Sequence, residues 1–214
     1  MGVVAVGGVN AAELDAVTID AHGTLVTLVD PVPALTAALA MRNVERDRDV
    51  VTHGFRTEVA HYVEHSAEGR DEAGLARLQR DCARVFLDAI GAALDPEEFA
   101  PAFASAMHFT VLPGVVAALE LLRGLGLELA VVANWDLTLL RLLDEVGLAE
   151  HFGAIVHAAR KPAPDGLLLA LEQIGSEPAR ALHIGDDDAD ETAARAAGMS
   201  FAPAPLPDAV ARLA

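Results

Sequence analysis

The chain has a single cysteine, Cys82, in 214 residues. That excludes an internal disulfide and fits a reducing compartment, so a cytoplasmic location is expected. Aromatic residues make up only 4% of the chain, against 53% hydrophobic residues in all, so the core must be built mainly from Ala, Leu and Val. Basic side chains are equally scarce. Fifteen Lys and Arg face 32 Asp and Glu, for a net charge of −17. Such a field repels nucleic acid and anionic membrane, which excludes both as partners. It also repels anionic substrates, so a phosphate site in this chain needs a metal or local cations. No uninterrupted apolar run is long enough to span a bilayer: residues 111–133 are broken by Pro113, Glu120, Arg123 and Glu128. Residues 1–12 are apolar but lack a basic leader, and read as a frayed tail rather than a signal peptide.

Five short apolar runs have the character of buried parallel strands, at 16–20, 128–133, 154–157, 181–184 and 199–201. Between the later runs lie helical patterns at 114–124, 136–147, 164–175 and 188–198, with Asp at some starts and Gly at the stops. Strand alternating with helix predicts right-handed crossovers and an α/β, doubly wound, Rossmann-like parallel sheet. Residues 33–108 break that alternation. They carry only charged amphipathic patterns, at 34–42, 49–65, 72–90 and 96–107, as a helical bundle does. The expected division is a core domain at 14–32 and 109–214 with a helical cap at 33–108. Inserted after the first strand, that cap is expected to act as a mobile lid. The Ala- and Pro-rich stretch after Phe201 reads as a low-complexity tail.

Four motifs concentrate the chemistry. Val17-Thr-Ile-Asp20-Ala-His22-Gly23-Thr24-Leu25 is a strand that ends in a carboxylate and turns at once on a glycine. This delivers Asp20 to the carboxyl edge of the sheet, where parallel α/β folds build their sites. The Gly23 turn lets backbone amides face an anion. Leu129-Ala-Val-Val-Ala133-Asn134-Trp135-Asp136 ends the second strand; Trp135 reads as packing and Asp136 as a helix cap. Arg160-Lys161-Pro162-Ala163-Pro164-Asp165 places a lysine ahead of a helix. By default Lys161 is a solvated loop charge, but in so acidic a chain it is also a scarce cation. His183-Ile-Gly185-Asp186-Asp187-Asp188-Ala-Asp190 sets four carboxylates in five positions at a strand end. An acidic helix N-terminus accounts for part of this, Asp188 above all. The remainder, Asp186 first, is hard oxygen chemistry that suits Mg²⁺.

In this order the four motifs resemble those of the haloacid dehalogenase-like superfamily, and they cover nearly the whole chain outside the insertion. The resemblance implies strand order 3-2-1-4-5 for the five runs, numbered along the chain. It implies Asp20 as the nucleophile, forming an aspartyl-phosphate that water hydrolyses. Lys161 would hold Asp20 ionised, and Mg²⁺ would be held by Asp20, the His22 carbonyl, Asp186 and Asp190. Gly23, Thr24, Ala133 and Asn134 would line the phosphoryl site.

The chain departs from the family pattern twice. His22 replaces the second aspartate, the proton donor and acceptor, and Ala133 replaces a Ser or Thr whose hydroxyl binds the phosphoryl group. Imidazole can move a proton in place of carboxylate, and Asn134 can substitute for the hydroxyl through its side-chain amide or its backbone N–H. Three functional readings follow. The first is a Mg²⁺-dependent phosphatase on a small phosphorylated metabolite. The second is a HAD-fold binding or regulatory protein with little or no catalysis. The third is a metal-independent 2-haloacid dehalogenase-like hydrolase, against which the retained Asp186 and Asp190 weigh. Elsewhere, His61 and His65 stand one turn apart but lack a third zinc ligand, so they read as an exposed helix face. Arg56, Arg70, Arg77 and Arg80 read as surface charges in the insertion, and Cys82 as packing. His157 and His183 sit in strands without an assigned role.

Overall fold

A computed structural model describes residues 11–213. The frayed-tail reading falls mostly outside them; the one part described, Ala11–Glu13, is a 3-10 turn. The strands are β1 (Ala16–Ile19), β2 (Val26–Leu28), β3 (Phe109–Val111), β4 (Glu128–Val132), β5 (Ala154–Val156), β6 (Ala181–Gly185) and β7 (Ser200–Pro203). The helices are α1 (Val32–Ala40), α2 (Arg48–His65), α3 (Glu72–Ala89), α4 (Pro96–Ser105), α5 (Val115–Gly124), α6 (Thr138–Glu145), α7 (Asp165–Ile174), α8 (Asp188–Ala197) and α9 (Leu206–Ala211).

Five strands form one sheet in the order β5-β4-β1-β6-β7, every pairing parallel. Counting only these five along the chain, that order is 3-2-1-4-5, the order the family resemblance implies. The short strands β2 and β3 pair separately. Three residues each are too few to leave a periodic signal, and the sequence reading missed them.

The chain divides into two compact units. Among the described residues, one comprises 11–27, 111–134 and 138–213; the other comprises 28–110 together with 135–137. In the first unit, one face of the sheet is packed largely with alanine: Ala16, Ala130, Ala154, Ala181, Ala193 and Ala194 are buried there beside Leu167 and Leu171. Small side chains let α7 and α8 lie close on the strands, which sets their N-termini near the strand ends. In the second unit, the core holds Phe86, Phe99 and Phe103, with ring centroids 5.2–6.5 Å apart. The scarce aromatic residues are therefore concentrated in the helical unit.

One expectation is corrected. The stretch after Phe201 is ordered structure: β7 runs to Pro203, and α9 buries Leu206, Ala209 and Val210. Those three stand at i, i+3 and i+4, an apolar stripe that the Ala and Pro content obscures. Among the described residues, no helix is long and apolar enough to cross a membrane.

Candidate active site

β1 runs out at Ile19, and the next residue, Asp20, donates its backbone N–H to the Ile184 carbonyl of β6 at 2.9 Å. Asp20 is buried, its side chain only 10% exposed. The chain then reverses tightly. Leu25 and Val26 donate to the Ala21 carbonyl at 2.9 and 3.0 Å, and Gly23 donates to Val26 O at 2.9 Å with φ of +77°. Glycine adopts that left-handed conformation without steric cost. Thr24 is buried in this turn, its hydroxyl without a protein hydrogen-bond partner. His22 is exposed, close enough to Asp186 that an imidazolium there would favour ionisation of that carboxyl.

Lys161 lies on the loop between β5 and α7 and is buried. Its Nζ donates to Asp20 Oδ1 at 2.5 Å, to the Val132 carbonyl at 2.9 Å, and to Asp190 Oδ1. Three acceptors exhaust its three hydrogens. The loop that carries it is held by Asn134, whose Oδ1 accepts the Lys161 N–H at 2.7 Å and whose Nδ2 donates to the Lys161 carbonyl at 2.8 Å. Ala133, buried at the end of β4, offers only its backbone. Its N–H donates to Val156 O, and its carbonyl accepts from Ala159 N.

At the end of β6, Asp187 caps α8 by accepting the Asp190 N–H at 2.9 Å. Asp190 is 1% exposed. Its Oδ2 accepts the backbone N–H groups of Asp186 and Asp187 at 3.1 and 3.3 Å. Its Oδ1 accepts from Lys161 and from His183 Nε2, the latter at 3.0 Å. Four donors occupy the four lone-pair positions of the carboxylate. Asp186 is exposed, and its carboxylate lies free of such a cage.

Oxygens of Asp20, Asp186 and Asp190 all lie within 4.8 Å of one another. Burial pushes the Asp20 carboxyl up to about 7, with Lys161 pulling against the rise and Asp190 adding to it. Burial and the charges of Asp190 and Asp187 likewise raise Asp186. Burial opposes ionisation of Asp190 as well, yet hydrogen bonds from His183 and Lys161 outweigh it and hold the group ionised. One lysine shared among carboxylates leaves uncompensated charge. The donor set is all hard oxygen, so the residues fit a divalent cation such as Mg²⁺.

The structure thus gathers Asp20, Lys161, Asp186 and Asp190 at one sheet edge, with the Gly23–Thr24 turn beside them. The Asn134 amide is spent on the Lys161 backbone. Sequence reasoning left His183 without a role, although it is fully buried and bonded to Asp190. It pairs in register with Thr18, and the signal it left is a polar residue inside each of two neighbouring apolar strands. In the helical unit, Trp135 packs on Phe109 with ring centroids 4.8 Å apart, in keeping with a packing role. Asp136 lies two residues before α6 and accepts the Tyr62 hydroxyl at 3.2 Å. Cys82 is buried there too, but its thiol pairs with the Glu58 carboxylate.

Known proteins resemble this chain in sequence and in fold. Phosphoglycolate phosphatase 1 of Pseudomonas aeruginosa is 32% identical over 195 residues, covering 82% of this chain and 65% of that protein. The chain therefore spans just under two thirds of that relative's length. L-2-haloacid dehalogenase from Xanthobacter autotrophicus superposes with a TM-score of 0.64 at 25% identity, covering 89% of this chain and 77% of that one. A HAD family hydrolase from Deinococcus radiodurans, solved with bound phosphate and sodium, superposes with a TM-score of 0.54 at 25% identity, covering 90% and 81%. The family model for haloacid dehalogenase-like hydrolases matches residues 14–198, and the chain belongs to that family.

Proposed function

We propose that this hydrolase is a Mg²⁺-dependent phosphatase acting on a small phosphorylated metabolite through an aspartyl-phosphate on Asp20. The observation that carries the reading is the approach of three carboxylates, Asp20, Asp186 and Asp190, to within 4.8 Å around a single lysine. Such a cluster calls for a cation, and a cation beside Asp20 suits an anionic phosphoryl group. Asp20, the His22 carbonyl and Asp186 would hold the ion. Asp190, its acceptor positions already filled, would support from behind. When bound, Mg²⁺ supplies neutralisation of the carboxylates and of the phosphoryl oxygens.

The steps belong to the chain's own residues. An Asp20 oxygen attacks phosphorus, the ester P–O bond breaks, and the departing alkoxide takes a proton from His22. Water then attacks the phosphorus of the aspartyl-phosphate, giving its proton to His22; phosphate leaves and Asp20 is restored. Lys161 keeps Asp20 oriented and offsets its charge. We assign substrate choice to the helical unit, which enters the chain between the nucleophile loop and the second motif.

A second reading has one observation in its favour, the likeness to L-2-haloacid dehalogenase. There Asp20 would attack carbon and expel halide, without a metal. The carboxylate cluster weighs against it. The deciding experiment compares release of phosphate from phosphoglycolate and other small phosphate esters with release of halide from a 2-haloacid, each with Mg²⁺ and with a chelator. Mg²⁺-dependent phosphate release supports the phosphatase. Chelator-insensitive halide release transfers the assignment to the dehalogenase reading, and neither activity leaves a binding protein.

A further inference from the structure

His183 lies in the middle of β6, fully buried and one layer behind the nucleophile. Its Nε2 is 3.0 Å from Asp190 Oδ1, and its Nδ1 is 2.8 Å from Thr18 Oγ1 and 3.2 Å from the Thr18 carbonyl oxygen. A carboxylate accepts only, so Nε2 carries a hydrogen. In the neutral ring Nδ1 then carries none, and the Thr18 hydroxyl, the nearer of its two oxygen neighbours, donates to it: the Nε2–H tautomer. The bonds run on from Asp190 to Lys161 and from Lys161 to Asp20. Thr18 and Asp20 are two residues apart on the same strand, so the chain of bonds is a closed ring: Thr18, His183, Asp190, Lys161, Asp20 and back along β1. Every residue in it is less than a tenth exposed.

Closure has a chemical consequence. Lys161 divides its hydrogens between Asp190 and Asp20, and the division depends on where Asp190 stands. The two backbone N–H groups fix Oδ2 of Asp190; only His183 fixes Oδ1 from the side away from the nucleophile. Without it, Asp190 is free to turn, and Lys161 redistributes toward one carboxylate. We propose that His183 is a positioning residue, whose Nε2–H hydrogen bond to Asp190 sets the geometry in which Lys161 presents Asp20 for attack. It touches neither substrate nor metal. The proposal rests on the phosphatase reading for its kinetic arm but not for its structural arm.

The test uses the full chain and two variants. His183→Gln keeps an N–H donor near the position of Nε2, whereas His183→Phe fills the space without a donor. For the wild type, heteronuclear correlation of the imidazole nitrogens should give the Nε2–H tautomer. With Mg²⁺ and the best phosphate ester, His183→Phe should lower kcat about 10–100-fold, the scale on which outer-shell partners act, with KM within about twofold. His183→Gln should recover most of the loss. An Nδ1–H tautomer, wild-type kcat in His183→Phe, or equal impairment in both variants overturns the proposal. If His183→Phe does not fold, the tautomer and the kcat of His183→Gln decide: a near-wild-type kcat supports the proposal, and a tenfold loss rejects it. If the wild type turns over no ester, the phosphatase reading fails by itself. The tautomer then decides whether the ring of bonds is as described.

Discussion

Gly23 and Asp186 stand so close that a side chain on the first excludes the second: a β-carbon built on Gly23 falls 2.0 Å from Asp186 Oδ2. The nucleophile turn and the acidic loop after β6 therefore meet backbone against carboxylate. Gly23→Ala suffers twice, from that clash and from its φ of +77°, a conformation that costs a side-chain-bearing residue roughly 1–2 kcal/mol. Because Asp186 must move, the expected outcome is a folded but less stable protein with weakened Mg²⁺ binding, read by calorimetric titration. Unchanged affinity would remove Asp186 from the proposed set of ligands.

Among the described residues, only Lys161 pairs with both Asp20 and Asp190. Lys161→Met leaves Asp20 and Asp190 buried without it, and breaking a buried pair from one side costs about 3–5 kcal/mol. Chemical denaturation near neutral pH should show that loss. Added Mg²⁺ should restore part of it, because the metal would take over the compensating charge.

His22→Asp tests the departure from the family pattern. A carboxylic acid there would take over from His22 the protonation of the departing alkoxide, and a better-placed donor raises turnover by some part of the about 10²–10⁴-fold that general acid assistance is worth. The gain should be larger for esters with poor leaving groups than for those with good ones. Adding Ala133→Thr restores a hydroxyl at the end of β4 and should extend the gain. A double variant that binds Mg²⁺ yet stays inert would favour the binding-protein reading.

Glu58, on α2, supplies a pH dependence unconnected with the site. Burial pushes its carboxyl from about 4.5 up to about 7, its hydrogen bond with Cys82 pulling slightly the other way. Below about 4.5 the group is protonated whether the chain is folded or not, and it costs nothing. As pH rises from about 4.5 to about 7, the unfolded chain ionises first and folding stability falls. Above about 7 the deficit is constant, on the order of 3 kcal/mol. Glu58→Gln should remove that contribution and leave the one from Asp20, whose carboxyl burial also raises to about 7. Denaturation at pH 5.5 and pH 8 should show a difference between the pH values in the wild type that is smaller in the variant.

What the sequence reveals here follows where physics leaves a local mark. Asp20 and Asp186 each follow directly on an apolar run, so strand-end placement was legible from neighbours alone. The sheet order needed the family resemblance, because spacing along the chain does not say which strands pair. Thr18 and His183 were opaque: a polar residue inside a strand gains its meaning from a partner about 165 positions away. The Asn134 clamp was hidden in the same way, since a long-range backbone hydrogen bond has no sequence period. Glu58 is instructive. It lies on the same face of α2 as Val51 and Gly54, at i+7 and i+4, so its burial was written in the helical spacing. Its charge argued for solvent and masked the pattern.

The placement of the rare aromatic residues determines what light can report about this molecule. The only tryptophan, Trp135, and the only tyrosine, Tyr62, both belong to the helical unit. Intrinsic fluorescence is therefore blind to the parallel sheet, which far-UV circular dichroism sees together with every helix. Melting curves from the two probes superimpose only if the two units unfold together, and any gap between them measures how independently each one stands.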